Sequence, residues 1–454
     1  MPEPIISVSG LRGIVGESLT PELAIRYAAA FADGAPLGPI LVSRDGRPSG
    51  KMLAQAIHAG LHAVGRDTLD AGILPTPSVG VLVREVRAGG AVQITASHNP
   101  LPYNGLKLFS ADGRVIPACA GQEVLDRYRA GRIGWAAHDR LGAGRECVDV
   151  FSPHLHAVLS IVNYAAIRQR QYPVLLDANR GAGGFLGRRV LEELGCQVTI
   201  LGEEQDGQFE HPPEPTAENL DGVRARVTRS GARIGFCQDP DADRLAVIDE
   251  NGRYLGEEYT VALCVDHILR QNKGPVVINC STSRMSQDLA ECYGVPLVRS
   301  AVGEANVVDA MLEHNAIFGG EGNGGPIDPR VGLVRDSFVG MALLLDAMTA
   351  RDASISQLAD ELPRYDIFKT KIELPPDEVA AGFDALEAHF CDAVSNRLDG
   401  LRLDWPDRWL LVRPSNTEPI VRAVAEAKTA DIARGLCHEA ARLLGRSPGA
   451  DSRT

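Results

Sequence analysis

The 454-residue chain lacks a basic surplus: 46 Lys and Arg stand against 59 Asp and Glu, a formal net charge of −13. General nucleic-acid binding ordinarily needs a basic face and is excluded on that balance. A small anionic substrate is not excluded, but it needs a local basic pocket within the acidic body. No apolar run approaches the roughly 18 residues of a membrane span. The N-terminal MPEPIISVSG has neither a basic nor a hydrophobic leader region. None of the nine cysteines forms a CxxC pair, and their number is odd. That pattern argues against thiolate zinc and against a disulfide framework, and it leads to the expectation of reduced, buried thiols in a cytoplasmic protein. Aromatics are sparse at 5%, but 44% hydrophobic residues is ordinary for a globular chain. The length suits two to four domains.

What is present is one local pattern, repeated: strand, loop of small and polar residues, helix, strand. It runs through 39–77, 173–201 and 274–300. Each stretch has the length of a βαβ unit, which predicts buried and mainly parallel strands. The end of the chain differs. FKTKIELPPDE, two helical stretches and RWLLVRPSNTEPIVRAVAEA read as a small α+β domain. Joints near 142–148, 251–257 and 362–369 give four domains, 1–147, 148–251, 252–365 and 366–454.

Four loops carry chemistry. In ITASHNP, Ser97 follows a short apolar run and precedes an Asn-Pro turn. It therefore sits on a loop at the C-terminal end of a strand, the edge where chemistry collects in α/β sheets. By residue type alone it fits a nucleophile, a cap or a turn residue. In CQDPDADRLAVIDENG, Asp239, Asp241 and Asp243 alternate between two predicted strands. Three carboxylates that close repel one another unless a cation sits among them. Hard oxygen donors suit Mg²⁺ or Ca²⁺ rather than zinc, and the flanking strands exclude an EF-hand. Arg244 follows at once and can reach a phosphate oxygen. In FGGEGNGGPIDPR, five glycines allow close approach of backbone to ligand. Glu321 and Asn323 offer acceptors and donors together, a pairing suited to vicinal sugar hydroxyls; a flexible turn is the alternative. In RPSNTEPIVR, Arg413, Ser415, Asn416 and Thr417 can cradle a phosphate, although SNTE can equally form a capping box. No Walker loop is present.

Taken in order, the four loops resemble those of the α-D-phosphohexomutase superfamily, which includes phosphoglucomutases, phosphomannomutases and phosphoglucosamine mutases. TASHNP, DPDADR and RPSNTEP carry the likeness, with SGLRGIVGESLTPE, SRDGRPSG, LPTP and NGLK; it covers nearly the whole chain. The resemblance implies an α/β fold of four domains around a central cleft. Three are topologically related α/β domains with mixed, mainly parallel sheets, and the C-terminal one is α+β. It implies that Ser97 is a phosphoserine flanked by His98 and Asn99. Arg12 and Lys107 would be basic residues of the transfer centre, with Arg244 beside the metal loop. Asp239, Asp241 and Asp243 would hold Mg²⁺ together with an oxygen on Ser97. Glu321 and Asn323 would meet sugar hydroxyls. Arg413, Ser415, Asn416 and Thr417 would grip the phosphate that is not reacting, supported by Arg422.

The implied reaction moves a phosphoryl group between O6 and O1 of a hexose, through phospho-Ser97 and a 1,6-bisphosphate. A hexose phosphate substrate, a hexose 1,6-bisphosphate activator and a monomer or homodimer are expected, with no nucleic-acid or membrane partner. Lys107 and His98 are both candidate general bases. One departure stands out. Many members read GExSGH in the sugar loop, and this chain reads GEGNGG, with Asn323 for serine and Gly325 for histidine. This form resembles a variant in members assigned to phosphoglucosamine mutation. The nearby carboxylate of Glu304 would favour an ammonium at C2. The expected substrate is therefore glucosamine phosphate; phosphomannomutase/phosphoglucomutase is the alternative. A serine-dependent phosphatase lacks its GxSxG elbow, and a non-catalytic sugar-phosphate sensor would not need an intact serine and metal loop.

Overall fold

The computed structural model describes residues 4–7, 10–415, 420–445 and 452–453, which form four sheets. In the first, strands Thr68–Ile73, Ile40–Arg44, Gly90–Ile94 and Tyr103–Ser110 lie side by side. The second contains Gln197–Leu201, Pro173–Asp177, Ile234–Gln238 and Leu245–Asp249; the third contains Leu297–Ser300, Val276–Asn279, Phe318–Glu321 and Gly325–Ile327. The pairing is the same in all three: parallel, parallel, then antiparallel. The chain thus makes one turn three times, out of the third strand of each set and back along the fourth. Those turns carry Ser97, the Asp239–Asp241–Asp243 run and the Glu321–Asn323 pair, the loops read from sequence as serine, metal and sugar loops. Topology, not chance, brings them to equivalent edges.

The strands Gly90–Ile94, Ile234–Gln238 and Leu245–Asp249 are buried at every position. Near-continuous apolar runs of this kind are what a sheet covered on both faces requires. The first sheet is widened by Ile5–Ser7 and Gly10–Ile14 on one side and Gly144–Glu146 on the other. The stretch read as a joint near 142–148 therefore contributes an edge strand, parallel to Thr68–Ile73. The fourth sheet has six strands, all antiparallel. Helix Ala430–Leu443 covers it with Ala433, Leu436, Cys437, Ala440 and Ala441, an i, i+3, i+4, i+7 stripe, and is capped by Thr429. Among the described residues, no helix is long and apolar enough to cross a membrane. No cysteine is in a disulfide; five are buried, and Cys119, Cys292 and Cys391 are exposed.

One element organises the centre. Helix Ser337–Arg351 is buried over thirteen of its fifteen residues. It is apolar on every side, so it lies between layers rather than on a surface. Its core is shared by Leu176 and Phe236 of the second sheet and Phe318 of the third. Asp336 caps it, accepting from the N–H groups of Phe338 (2.8 Å) and Val339 (3.2 Å). The other Asp336 oxygen meets His154 Nε2 at 2.7 Å, and His154 Nδ1 meets Ser78 Oγ at 2.7 Å. This chain of serine, histidine and aspartate is buried at all three positions, so it ties three domains together and is closed to substrate. Phe338 is wholly buried against the His154 ring. Phe338→Ala is expected to destabilise the second and third domains by about 3–5 kcal/mol, read from the denaturant midpoint. A loss below about 1 kcal/mol would contradict a shared core.

Candidate active site

Ser97 stands three residues past the strand Gly90–Ile94, with a positive φ of 50°. A non-glycine residue there is strained and must be held. Arg47, itself buried, does the holding. Its Nη2 donates to the carbonyls of Ser97 (2.6 Å) and Asn99 (2.6 Å), and its Nη1 to those of Pro100 and Tyr103 (2.9 Å each). Asp45 pins the guanidinium from behind, and Phe209 lies under it. The Ser97 N–H donates to Thr95 Oγ1 at 2.9 Å. This leaves the Ser97 hydroxyl pointing across to the metal loop, where it donates to Asp239 Oδ2 at 2.9 Å. His98 Nδ1 lies 3.3 Å from the same hydroxyl.

Asp239, Asp241 and Asp243 are all fully buried, and one oxygen from each falls within 4.8 Å of the others. Ala242 between them takes a φ of 57°, which folds the turn tightly enough to gather the carboxylates. Their outer oxygens are occupied. Asp239 Oδ1 accepts from the Arg244 N–H; Asp241 Oδ2 accepts from Thr76 and Lys107; Asp243 Oδ2 accepts from Lys107 (2.8 Å) and Arg335 (2.6 Å). Asp241 Oδ1 and Asp243 Oδ1 are buried with no partner. Orphaned carboxylate oxygens in a dry site are costly. Oxygen donors arranged around a common point fit a hard divalent cation, and such a cation would relieve that cost.

Charge in the cluster is finely opposed. Burial, then the neighbouring carboxylates, push Asp239 well above the usual carboxylate range. Burial acts on Asp243 in the same sense, but Arg335, Lys107 and Arg244 outweigh it and hold that carboxyl below its ordinary value. Burial lowers the Lys107 ammonium, yet Asp243 and Asp241 more than compensate and raise it. The charge of Arg244, with burial and Arg12, drives the His98 imidazole well below its usual value. Arg12 sits on the strand Gly10–Ile14, its guanidinium lowered by burial and opposed by Asp241.

The sugar loop docks directly on the metal loop, because the Leu245 N–H donates to the Gly324 carbonyl at 2.9 Å. Glu321 ends its strand and is nearly fully buried. Its Oε1 accepts from Asn279 (2.7 Å) and the Gly303 N–H (2.9 Å), and its Oε2 from Arg335 (3.0 Å). Asn323 is half-buried, with an unpartnered Oδ1. Glu304, expected from sequence as a carboxylate open to a sugar ammonium, is buried and has a cation already. Its Oε1 accepts from the Arg335 N–H at 3.0 Å, and its Oε2 lies 3.4 Å from Arg335 Nε.

The phosphate loop belongs to the fourth sheet. Arg413 pairs directly with Arg422 across two strands, and Arg422 with Lys371 across the next, so three cations share one face of the sheet. Arg413 is ion-paired to Asp399 at 3.1 Å, and Asp399 also takes the Val302 N–H. That contact sets Arg413 beside the segment that holds Glu321. Ser415 donates its N–H to the Ile420 carbonyl; Asn416 and Thr417 lie outside the described residues. Reasoning from sequence missed Arg335, Arg47, Thr76 and Lys371. The segments SRDGRPSG and LPTP contain Arg47 and Thr76 without assigning them a role, and nothing local in GLVRDS marks Arg335.

The sequence matches all four domains of the phosphoglucomutase/phosphomannomutase group: alpha/beta/alpha domains I over 5–132, II over 152–252 and III over 257–365, and the C-terminal domain over 372–443. The chain belongs to the phosphoglucomutase/phosphomannomutase family. It is a phosphohexomutase, an isomerase that relocates a phosphoryl group within a hexose phosphate. A phosphoglucomutase/phosphomannomutase of Thermococcus kodakarensis is 36% identical, over 96% of this chain and 97% of the relative. A probable phosphoglucosamine mutase of the same organism is 32% identical, over 97% and 98%. The crystal structure of a phosphoglucomutase/phosphomannomutase family protein from Burkholderia thailandensis superposes with a TM-score of 0.84 at 28% identity, covering 97% of this chain and 98% of that one. The four-domain phosphohexomutase architecture is thus common to these proteins and this chain.

Proposed function

We propose that this phosphohexomutase interconverts glucosamine 6-phosphate and glucosamine 1-phosphate, with Ser97 carrying the phosphoryl group and Mg²⁺ held by Asp239, Asp241 and Asp243. The observation that carries the reading is the Ser97 hydroxyl, 2.9 Å from Asp239, beside the unpartnered oxygens of Asp241 and Asp243. Bound there, Mg²⁺ supplies charge that stabilises the oxygens of a phosphoryl group in transfer. The chain's own residues do the rest. Arg47 fixes the serine in its strained conformation. Lys107, Arg12 and Arg244 bring positive charge to the same centre. Lys107 and His98 remain the two candidates to take the proton of the attacking sugar hydroxyl. Glu321 and Asn323 hold sugar hydroxyls, and the Arg413–Arg422–Lys371 stripe holds the distal phosphate in either orientation of the ring. A hexose 1,6-bisphosphate primes Ser97.

Support for glucosamine comes from the GEGNGG loop and from relatives named probable phosphoglucosamine mutase at 32–33% identity. Glu304 adds less than its sequence position suggests, because it is buried and lies against Arg335, a cation it shares with Glu321 and Asp243. The phosphomannomutase/phosphoglucomutase reading is favoured by the relative at 36% identity. The test is kcat/KM on glucosamine, glucose and mannose 1-phosphates at equal Mg²⁺ and activating bisphosphate. Glucosamine 1-phosphate is expected to lead. A tenfold advantage for either other sugar, about 1.4 kcal/mol of transition-state preference, overturns the assignment.

A further inference from the structure

We propose that Arg335 is a positioning residue that couples binding of the sugar to binding of the metal, and that Gly325 is glycine to let it pass. The inference rests on the functional reading above and adds a residue to it. Arg335 stands between two fixed points. Its own N–H donates to Glu304, and the next residue, Asp336, caps the buried central helix. Its side chain, 9% exposed, then crosses from the third domain to the second. Nη1 donates to Glu321 of the sugar loop at 3.0 Å, and Nη2 to Asp243 of the metal loop at 2.6 Å. One planar cation therefore joins the carboxylate that meets the sugar to a carboxylate that meets the metal. A guanidinium can do this because its donors form a rigid planar fork that fixes the directions of both partners; a lysine ammonium can touch two carboxylates, as Lys107 does, but sets no such geometry between them.

Gly325 explains how the arginine gets there. A Cβ at that position would lie 2.4 Å from Arg335 Cδ, 2.7 Å from its Cγ and 2.9 Å from its Cβ. Any side chain there, histidine included, would force the arginine stem to shift. The departure GEGNGG is therefore not simply a lost group. The loop gives up a side chain at 325, and Arg335 fills the space and reaches Glu321 from behind.

The arrangement has a consequence for binding. Arg335 and Lys107 both occupy Asp243 Oδ2, which turns the unpartnered Oδ1 to the side where a cation would bind. A cation on Oδ1 fixes Asp243, hence Arg335, hence Glu321. A sugar on Glu321 fixes the same chain from the other end. Ordering paid once by either ligand favours the other, and by linkage the effect is reciprocal.

The test uses full-length Ser97→Ala protein, so that nothing turns over. Affinity for glucosamine 6-phosphate is measured by calorimetry with and without Mg²⁺, and affinity for Mg²⁺ with and without the sugar phosphate. Positive coupling is expected. Adding Arg335→Lys or Arg335→Met should shrink the coupling factor at least fivefold, although direct attraction between Mg²⁺ and phosphate persists in every variant. Gly325→Ala should do the same without removing a charge, and it decides the matter if the Arg335 variants fail to fold. Glu321→Gln combined with Arg335→Met should lower coupling no further than either alone. Coupling absent in the parent, or unchanged in folded Arg335 and Gly325 variants, overturns the proposal. No binding of any hexose phosphate to the parent overturns the functional reading, and this inference with it.

Discussion

Ser97→Ala is expected to leave a folded protein with no multi-turnover mutase activity. The hydroxyl faces the carboxylate cluster from the loop that Arg47 holds, and removing it removes the atom that would carry the phosphoryl group. The loss in kcat should be on the order of 10⁴-fold or more, as for other enzymes stripped of their nucleophile. The fold should survive. Arg47 grips the carbonyls of residues 97, 99, 100 and 103, not the hydroxyl, so the strained loop keeps its shape around alanine. The structural cost is one hydrogen bond to Asp239, about 1 kcal/mol. Steady-state assay and thermal unfolding, run on the same sample, separate the two effects. Sustained turnover in the alanine variant would remove Ser97 from the mechanism.

Chelation should abolish activity, and added Mg²⁺ should restore it. The second large effect follows from the same buried carboxylates. Asp241 Oδ2 is already taken by Thr76 and Lys107, so its Oδ1 is the oxygen left for a cation. Asp241→Asn keeps the shape but replaces that charge with a neutral amide. Mg²⁺ affinity should fall at least about a hundredfold, because losing a contact that merely supports a ligand already costs about 10–100-fold. Titration calorimetry reads the affinity, and the assay in excess chelator reads the requirement. An undiminished rate in chelator would dispose of the metal.

The four chemical loops were legible because each is a contiguous run of turn and polar residues against apolar strands. The three βαβ units were legible for the same local reason. Their most informative property was not: the serine, metal and sugar loops occupy the same turn of one repeated sheet motif, and only strand pairing reveals it. Partners distant in sequence were also hidden. Arg335 meets Asp243 across 92 positions, and Arg47 meets the Ser97 carbonyl across 50. Nothing in VRDS separates a buried bridge from a helix cap. The surroundings of Glu304 were hidden for this reason, since it lies against an arginine 31 residues away. Lys371 joined Arg413 and Arg422 only once the register of the fourth sheet was set.

The central claim is that one phosphoryl group passes from Ser97 to the sugar and is replaced by the sugar's other phosphate. Protein labelled on the Ser97 phosphoryl group is mixed with one equivalent of unlabelled hexose 1-phosphate, quenched at intervals and resolved. The account predicts that label leaves Ser97, appears in a hexose 1,6-bisphosphate and ends in the 6-phosphate, while Ser97 stays phosphorylated with unlabelled phosphate. Label retained on Ser97 through many turnovers, or released as inorganic phosphate, would contradict it.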